Sequence, residues 1–454
     1  MSELIDPPIV KGSSFLKRLF SPRINKLDLL RLAYHHYGEI FAFPAGKGQN
    51  VLIMAGQDVN RFVSKEGKDF FSSVEFWQGT LKEMGCPHSF IGVDGDAHQY
   101  QRQLMQPMFA RAYFKDKINT LLQVVCDEVD KAVTAKEVLV APLLRRILSK
   151  QIGGVLQDEM PHDKDIEAMM TFQITAINTC SLQRWPKIAL KLPHYRNAKQ
   201  RSKAFANRLI ERARTENNSD RYLDKLMEQG ERERPQWFTH GDLENHAIIP
   251  FLAGIDTVGA SLGFMLYELV RHPEIKDRLQ QEVDTFFTSE KISLATMTHM
   301  KQLSAFVKEV LRLYPTAFAI RRTVNQDFAY KGYQVKKGQA VTIFTTADHT
   351  NPRYFERPHE LDIDRFLTGK MESVSNGVLS HFGRGPHTCL GSGLANVLMP
   401  LNLAFLLYTL NFEAGKNFGK VKVRCSPLAN LTSSFALRTR ARARIDFTRL
   451  VAEV

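Results

Sequence analysis

Two small groups of residues carry the chemistry this chain can do. The first is Cys389, which stands in HFGRGPHTCLGSG, residues 381–393, among glycines at 383, 385, 391 and 393. Glycine adopts backbone angles other residues resist and lets a chain pass close to a bulky partner. Beyond Gly393 the apolar residues at 394, 397, 398, 401, 405 and 408 keep a helical spacing. Cys389 therefore leaves a glycine loop close to a helix N-terminus, where the helix dipole and free N–H groups favour a negative sulfur. Such a thiolate can act as a nucleophile or as an axial metal ligand. The bland alternative is a buried structural cysteine in a turn.

The second group is Asp256 and Thr257, within GDLENHAIIPFLAGIDTVGASLGFMLYELVRHP. From Asp242 to Arg271 this stretch reads as one helix, about 30 residues and roughly 45 Å long at ~1.5 Å per residue. It is apolar on nearly every side, so it belongs in the interior. Pro250 followed by Gly254 predicts a local opening of the helix, with a carbonyl left free and room for a small molecule. An acid and an alcohol beside such a gap can pass protons through water. Alternatively, the two side chains only satisfy an awkward bend, although a carboxylate in an apolar run is costly to bury without purpose.

The order of residues narrows these options. Phe382, Gly383, Gly385, His387, Cys389 and Gly391 form FG-x-G-x-H-x-C-x-G, which resembles the haem-ligand loop of the cytochrome P450 family. Ala253, Gly254, Asp256 and Thr257 match that family's AG-x-D-T oxygen-activation motif. Glu309 and Arg312 stand three apart in KEVLRLYP, as in its E-x-x-R motif, and Arg365 of DIDRF completes the triad. E-x-x-R alone carries no weight, because helices are full of such pairs; its place between the other two motifs does. The triad is structural in the family. His98 and Arg102, four apart after a helix cap at Asp96, match a basic pair that meets a haem propionate; on their own they would read as a solvated face. His387 matches a further propionate donor. One of Arg321 and Arg322 meets a second propionate position, with Arg322 preferred from its distance to Asp327.

The resemblance covers nearly the whole chain and implies one mainly helical domain over 1–454 with small peripheral β-sheets, residues 1–25 being an N-terminal extension. It implies haem b with a cysteine-thiolate axial ligand. The thiolate pushes electron density toward iron and favours O–O cleavage. N–H groups of Leu390 and Gly391 are expected to tune the sulfur, and Phe382 to shield it. Asp256 and Thr257 relay protons. The implied activity is that of a soluble, bacterial-type monooxygenase that inserts one oxygen atom from O2 into a C–H bond of a small-to-medium hydrophobic substrate. A terpenoid, steroid, fatty acid or aromatic compound fits. Electrons come from outside, since nothing in the chain binds flavin or NAD(P)H. An acidic ferredoxin or flavodoxin, with its NAD(P)H reductase, suits a chain of net charge +13; Arg102, Arg111, Lys115, Lys117 and Arg384 are candidate contacts. A peroxide-driven peroxygenase, a redox-neutral isomerase or dehydratase on this fold, and a non-catalytic haem sensor are the rivals.

The elements that must position these groups are legible in outline. Leu27 to Gly38 reads as a helix, followed by a hairpin from Glu39 and Asn50. Helical patterns fill most of 115–235, with a break at NNSDRYLDK, and a further helix runs from about Ser304. YKGYQVKKGQAVTIFTT alternates like strands around a turn. Phe76, Trp77, Phe90, Ile91, Phe172, Phe318, Ile320 and Leu431 are candidates for the substrate pocket, and Pro400 should kink the helix after Cys389. Arginines at 438, 440, 442 and 444 fall on one face of a strand, read as a charged sheet edge.

Composition bounds the setting. Hydrophobic residues make up 44% and charged residues 24%, as in an ordinary soluble protein. The five cysteines include no C-x-x-C pair, which argues against a disulfide framework or a zinc site and suits a reducing cytoplasm. The basic balance favours an acidic partner or a membrane surface, and no nucleic-acid motif is present. The first residues hold no long apolar run, so neither a signal peptide nor a transmembrane segment is expected. Lys11, Phe15, Leu16, Lys17, Arg18, Phe20 and Arg23 make either a solvated tail or a surface-lying segment.

Overall fold

The computed structural model describes residues 4–12, 25–46, 49–216, 220–233, 235–368, 377–425, 428–446 and 448. Most of the basic N-terminal stretch, from residue 13 to 24, lies outside the described residues.

Helices dominate because most apolar residues recur at helical spacing. In chain order they are α1 (Lys26–Tyr37), α2 (Gln57–Ser64), α3 (Val74–Met84), α4 (Gly95–Phe109), α5 (Ile118–Ala135) and α6 (Val140–Ile152). There follow α7 (Asp163–Ala176), α8 (Pro193–Thr215), α9 (Tyr222–Glu233), α10 (His240–Arg271), α11 (Pro273–Ser289), α12 (Lys301–Leu313) and α13 (Ser392–Thr409). Helix α10 is the axis of the molecule: α6, α8, α11, α12 and α13 all pack on it. Its residues from Leu243 to Leu252 are buried without interruption, as the all-round apolar pattern demands. It starts two residues earlier than the sequence suggests, because the Thr239 hydroxyl and the Asp242 carboxylate form a reciprocal capping box. Both α10 and α13 are long and apolar enough to cross a membrane, yet 72% of the most apolar stretch of each is buried inside the protein. They are core helices by that measure.

The sheets sit beside this core. β1 (Ile40–Gly46) and β2 (Gln49–Ala55) form the expected hairpin, and β2 then pairs in parallel with β8 (Ala340–Phe344). β5 (Ile320–Val324) and β3 (Phe71–Ser72) complete a five-stranded sheet in the order β1-β2-β8-β5-β3. β6 (Phe328–Tyr330) and β7 (Tyr333–Val335) make a hairpin around Lys331 and Gly332, both at positive φ. β4 (Glu137–Leu139), β12 (Ala436–Ala441) and β9 (Leu410–Ala414) form a third sheet, with β12 in the middle. β10 (Val423–Cys425) pairs with β11 (Ala429–Leu431).

The central place of β12 corrects the expected charged edge. Arg438 and Arg440 do share an exposed face. The strand has pairing neighbours on both sides, however, and ends at Ala441, so Arg442 and Arg444 lie beyond it. Arg442 leaves the face altogether and binds the Asp284 carboxylate and the Tyr408 carbonyl. Helix α4 brings another correction. It begins at Gly95, so Asp94 rather than Asp96 holds the cap position, and Asp96 falls in the first turn. Helix α12 opens at Lys301, three residues before Ser304.

Candidate functional site

The loop before α13 is a set of tight turns. Gly383 and Gly385 take φ of 75° and 83°, a left-handed region costly for side chains that carry a Cβ. Hydrogen bonds close the turns: Gly383 N–H on Ser380 O at 3.0 Å, Thr388 N–H on Gly385 O at 3.0 Å, and Cys389 N–H on Phe382 O at 2.9 Å. These place Cys389 just ahead of Ser392, the first residue of α13. The Cys389 side chain is exposed to solvent although many protein atoms crowd it. That crowding pushes the thiol pKa up, while the Gly391 N–H and the Arg102 guanidinium act the other way. Gly391 is thus one of the two expected sulfur donors; no such bond is recorded from Leu390. Phe382 is half-buried, its ring 4.5 Å from that of His381.

A basic cluster gathers beside this loop from four parts of the chain. His98, on α4, is buried and stacks on Phe90 with ring centroids 5.9 Å apart. The His98 and His387 rings approach to 3.9 Å. His387 Nε2 lies 2.9 Å from the Asp94 carboxylate and 3.4 Å from the Ser73 hydroxyl. Asp94 also accepts from the Ser73 N–H and hydroxyl. These bonds outweigh burial and hold its carboxyl well below the usual range. That is why the cap residue of α4 does no capping. Arg102, one turn past His98, donates to the Thr388 carbonyl at 2.8 Å. Burial pushes His98 down to about 3, with His387 and Arg102 adding to the shift.

Strand alternation sends Arg321 and Arg322 to opposite faces of β5. Arg321 pairs across from Thr342 and donates to its hydroxyl at 2.9 Å. Arg322 points to the opposite face, where its charge bears on His98, His387 and Asp94. Burial lowers its guanidinium to about 10.

On α10, Asp256 is not a free acid. Arg145 Nε, from α6, donates to its Oδ1 at 2.9 Å. The Thr257 hydroxyl donates to the Ala253 carbonyl at 2.7 Å. α10 runs as one helix from His240 to Arg271, and the Ala253 carbonyl accepts from a side chain four residues on. Ala253 is nevertheless exposed in the middle of this buried helix. Gly254 has a packing reason, since a Cβ there would come within 2.9 Å of Ile152 on α6. Arg145, Asp256, Asn430, Leu431 and Thr432 line a recess between α6, α10 and β11, so Leu431 joins Asp256.

The triad residues meet. Arg312 binds both oxygens of Glu309, at 2.7 and 2.6 Å, and Arg365 Nε reaches Glu309 Oε1 at 3.2 Å. Glu309 and Arg312 are fully buried, and Arg312 further donates to the carbonyls of His349 and Pro358. The proposed pocket residues scatter more. Phe76 packs edge-on against Trp77, and Phe90 lies against His98 with Ile91 beside it in the same short 3-10 turn. Phe172 is only 1% exposed and packs on Tyr195 in the core. Phe318 is buried, its carbonyl accepting from Thr346, while Ile320 is a β5 residue facing Ile343 of β8. Among the suggested docking cations, Arg384 is occupied by Ser380 and the Leu379 carbonyl, and Arg111 by the Leu294 carbonyl. Lys117 lies 5.1 Å over the Tyr113 ring.

Two members of this arrangement escaped the sequence reading. Arg145 is 111 residues from Asp256 and sits in an ordinary amphipathic helix, so no local signal marks it. Asp94 was passed over for Asp96 as the cap, and its bond to His387 crosses 293 residues.

The donor set fits a haem. His98 Nε2 is buried without a hydrogen-bond partner. Around it Arg102, Arg322 and His387 face one carboxylate, Asp94, so the cluster needs further anionic acceptors such as propionates. Among the described residues no group of three or more His, Cys, Asp or Glu is placed to hold a metal ion. A mainly helical fold with this cysteine loop defines a haem-thiolate class of protein. The cytochrome P450 family model matches residues 16–431, and the chain belongs to that family of oxygen-incorporating oxidoreductases.

Human cytochrome P450 3A5 is 34% identical over 176 residues, 38% of this chain and 35% of that protein. Cytochrome P450 3A12 of Canis lupus familiaris is 25% identical over 413 residues, 84% of this chain and 80% of its own. Cyclooctat-9-en-7-ol 5-monooxygenase of Streptomyces melanosporofaciens is 24% identical over 315 residues, covering 66% of this chain and 67% of the relative. Retinoic acid-bound cyanobacterial CYP120A1 shares the fold at a TM-score of 0.82 and 20% identity, over 97% of this chain and 100% of that one.

Proposed function

We propose that this protein is a haem-thiolate monooxygenase that inserts one oxygen atom from O2 into a C–H bond of a hydrophobic substrate. The observation that carries the reading is the Cys389 thiol, bonded by the Gly391 N–H and flanked by the His98, Arg102, Arg322 and His387 cluster. Haem b, when bound through this sulfur, supplies dioxygen activation. The protein's own contribution is electrostatic and protonic. The Gly391 N–H and Arg102 favour the thiolate over the thiol against the cost of burial. Arg102, Arg322, His98 and His387 hold the propionates, and Phe382 keeps water from the sulfur. Asp256 carries protons from the Arg145 side, where the recess lies, to the Thr257 hydroxyl. Glu309, Arg312 and Arg365 fix the core on the cysteine side and touch no substrate.

The substrate is an apolar molecule of small to medium size. The names of two relatives support this: one oxidises cyclooctat-9-en-7-ol and the other holds retinoic acid. Two electrons come from a ferredoxin or flavodoxin in the cytoplasm, docking where Arg111, Lys115 and Lys117 lie. Three measurements test the reading. The haem-loaded protein should show the carbon-monoxide spectrum of a thiolate-ligated haem, shift spin state with apolar compounds, and turn them over with a ferredoxin and its reductase. Turnover with peroxide alone that Thr257→Ala leaves intact would point instead to a peroxygenase, and activity without any electron donor to an isomerase or dehydratase. Ligand binding with no substrate-induced spectral change would mark a sensor.

A further inference from the structure

Asp94 is a carboxylate inside a cluster suited to meet carboxylates. It holds the cap position of α4, yet its side chain makes no cap bond. Its oxygens reach across the chain instead. Oδ2 accepts the Ser73 N–H at 3.1 Å, and Oδ1 accepts the Ser73 hydroxyl at 2.8 Å. Oδ1 also lies 2.9 Å from His387 Nε2. Ser73 is fully buried and directly precedes α3. The starts of α3 and α4 and the cysteine loop therefore meet at one carboxylate. An ionised carboxylate only accepts, so this contact makes Nε2 the protonated nitrogen and fixes the plane of the His387 ring.

That ring is one wall of a narrow slot. His98 lies between Phe90, with ring centroids 5.9 Å apart and planes at 13°, and His387, at 3.9 Å and 33°. His98 is 4% exposed, and its Nε2 has no hydrogen-bond partner among the described residues. A buried ring nitrogen left unpaired is costly, so a partner from outside the chain belongs beside it. The two walls are held differently. Phe90 belongs to a 3-10 turn that the Gly92 N–H closes on Ser89 O at 2.9 Å. The His387 ring is held through Nε2, by Asp94 and by the Ser73 hydroxyl at 3.4 Å. Charge alone gives Asp94 no purpose here, because a like charge beside a bound carboxylate weakens the binding. Position does: Ser73 fixes Asp94, Asp94 fixes His387, and His387 fixes His98.

Given the haem-thiolate reading, on which this depends, we infer that Asp94 is a positioning residue for the haem propionates. It tethers the His387 ring, and through that ring it keeps His98 Nε2 in place for a propionate oxygen. It acts only through the two histidines.

Transfer of haem from the loaded protein to excess apomyoglobin, followed in the Soret band, tests this. Asp94→Ala should speed haem loss about tenfold, the weight of one charge-assisted hydrogen bond. Asp94→Asn keeps an oxygen for His387 and should stay within about threefold of the parent. In a His387→Ala background Asp94→Ala should add less than about twofold, because residues acting in series are not additive. Should Asp94→Ala fail to fold, Ser73→Ala, which removes one bond to the carboxylate, takes its place with and without His387; about threefold is then expected. Slower haem loss in both Asp94 variants would make the residue a mere repelling charge and overturn the inference. A penalty undiminished without His387 would also overturn it, by assigning Asp94 to the fold of α4. Haem-loaded protein that loses haem at the same rate with and without Asp94 overturns this inference alone. A parent protein that takes up no haem overturns the haem-thiolate reading and this inference with it.

Discussion

Arg145 and Asp256 meet across the α6–α10 contact, Nε to Oδ1 at 2.9 Å, with side chains 36% and 20% exposed. The pair joins the middle of the most buried helix to a solvent-accessible recess. An exposed pair of this kind contributes roughly 0–1 kcal/mol to stability. Arg145→Ala should therefore leave the denaturant midpoint nearly unchanged, whereas Asp256→Asn should lower substrate turnover about tenfold or more and raise the fraction of reductant lost to peroxide. A large unfolding shift in Arg145→Ala would mean the pair is a structural strut.

Cys389→Ala should abolish the thiolate signature in the carbon-monoxide spectrum of the haem-loaded protein while leaving α13 folded, because the bond the sulfur accepts comes from the Gly391 N–H, ahead of the first helical residue Ser392. Circular dichroism checks the helix. An unchanged spectrum would remove the basis of the functional reading.

Glu309 and Arg312 are fully buried and joined through both oxygens. Removing one partner of such a pair leaves an uncompensated charge, worth about 3–5 kcal/mol. Glu309→Gln should cost that much in chemical denaturation. Arg365→Lys should cost less, since the Arg365–Glu309 bond is single and longer, at 3.2 Å.

The two glycines ahead of Cys389 should differ. A Cβ at Gly383 meets nothing within 4 Å, so Gly383→Ala incurs only the left-handed backbone cost, about 1–2 kcal/mol. A Cβ at Gly385 would come within 2.9 Å of the Val63 carbonyl oxygen in addition to its φ of 83°. Gly385→Ala should be the more destabilising by thermal denaturation, and a reversed order would refute the steric account.

His246 is buried on α10 between Gln101 Oε1, 2.9 Å from Nε2, and the Tyr222 hydroxyl, 3.3 Å from Nδ1. Burial lowers its pKa to about 4. Below the ordinary histidine value of about 6.5 the unfolded chain takes up a proton that the folded chain does not, so stability falls as pH falls. The loss attributable to His246 should run from about pH 6.5 to pH 4 and total roughly 3 kcal/mol. His246→Gln should flatten that part of the stability–pH curve.

The helical core and the order of the motifs were legible along the chain alone. An all-round apolar run specifies a buried helix at α10 whatever surrounds it, and glycines around a lone cysteine specify a tight loop wherever it folds. These are local properties, set by backbone freedom and side-chain period. Tertiary structure decided the rest. Arg322 rather than Arg321 joins the histidines because β5 pairs with β8 in one register. Asp94 gives its oxygens to Ser73 and His387 because α4 and the cysteine loop happen to meet. Asp256 finds Arg145 because α6 lies across α10. The Asp94–His387 and Arg145–Asp256 pairings join residues 293 and 111 positions apart, and no period or propensity along the chain encodes them.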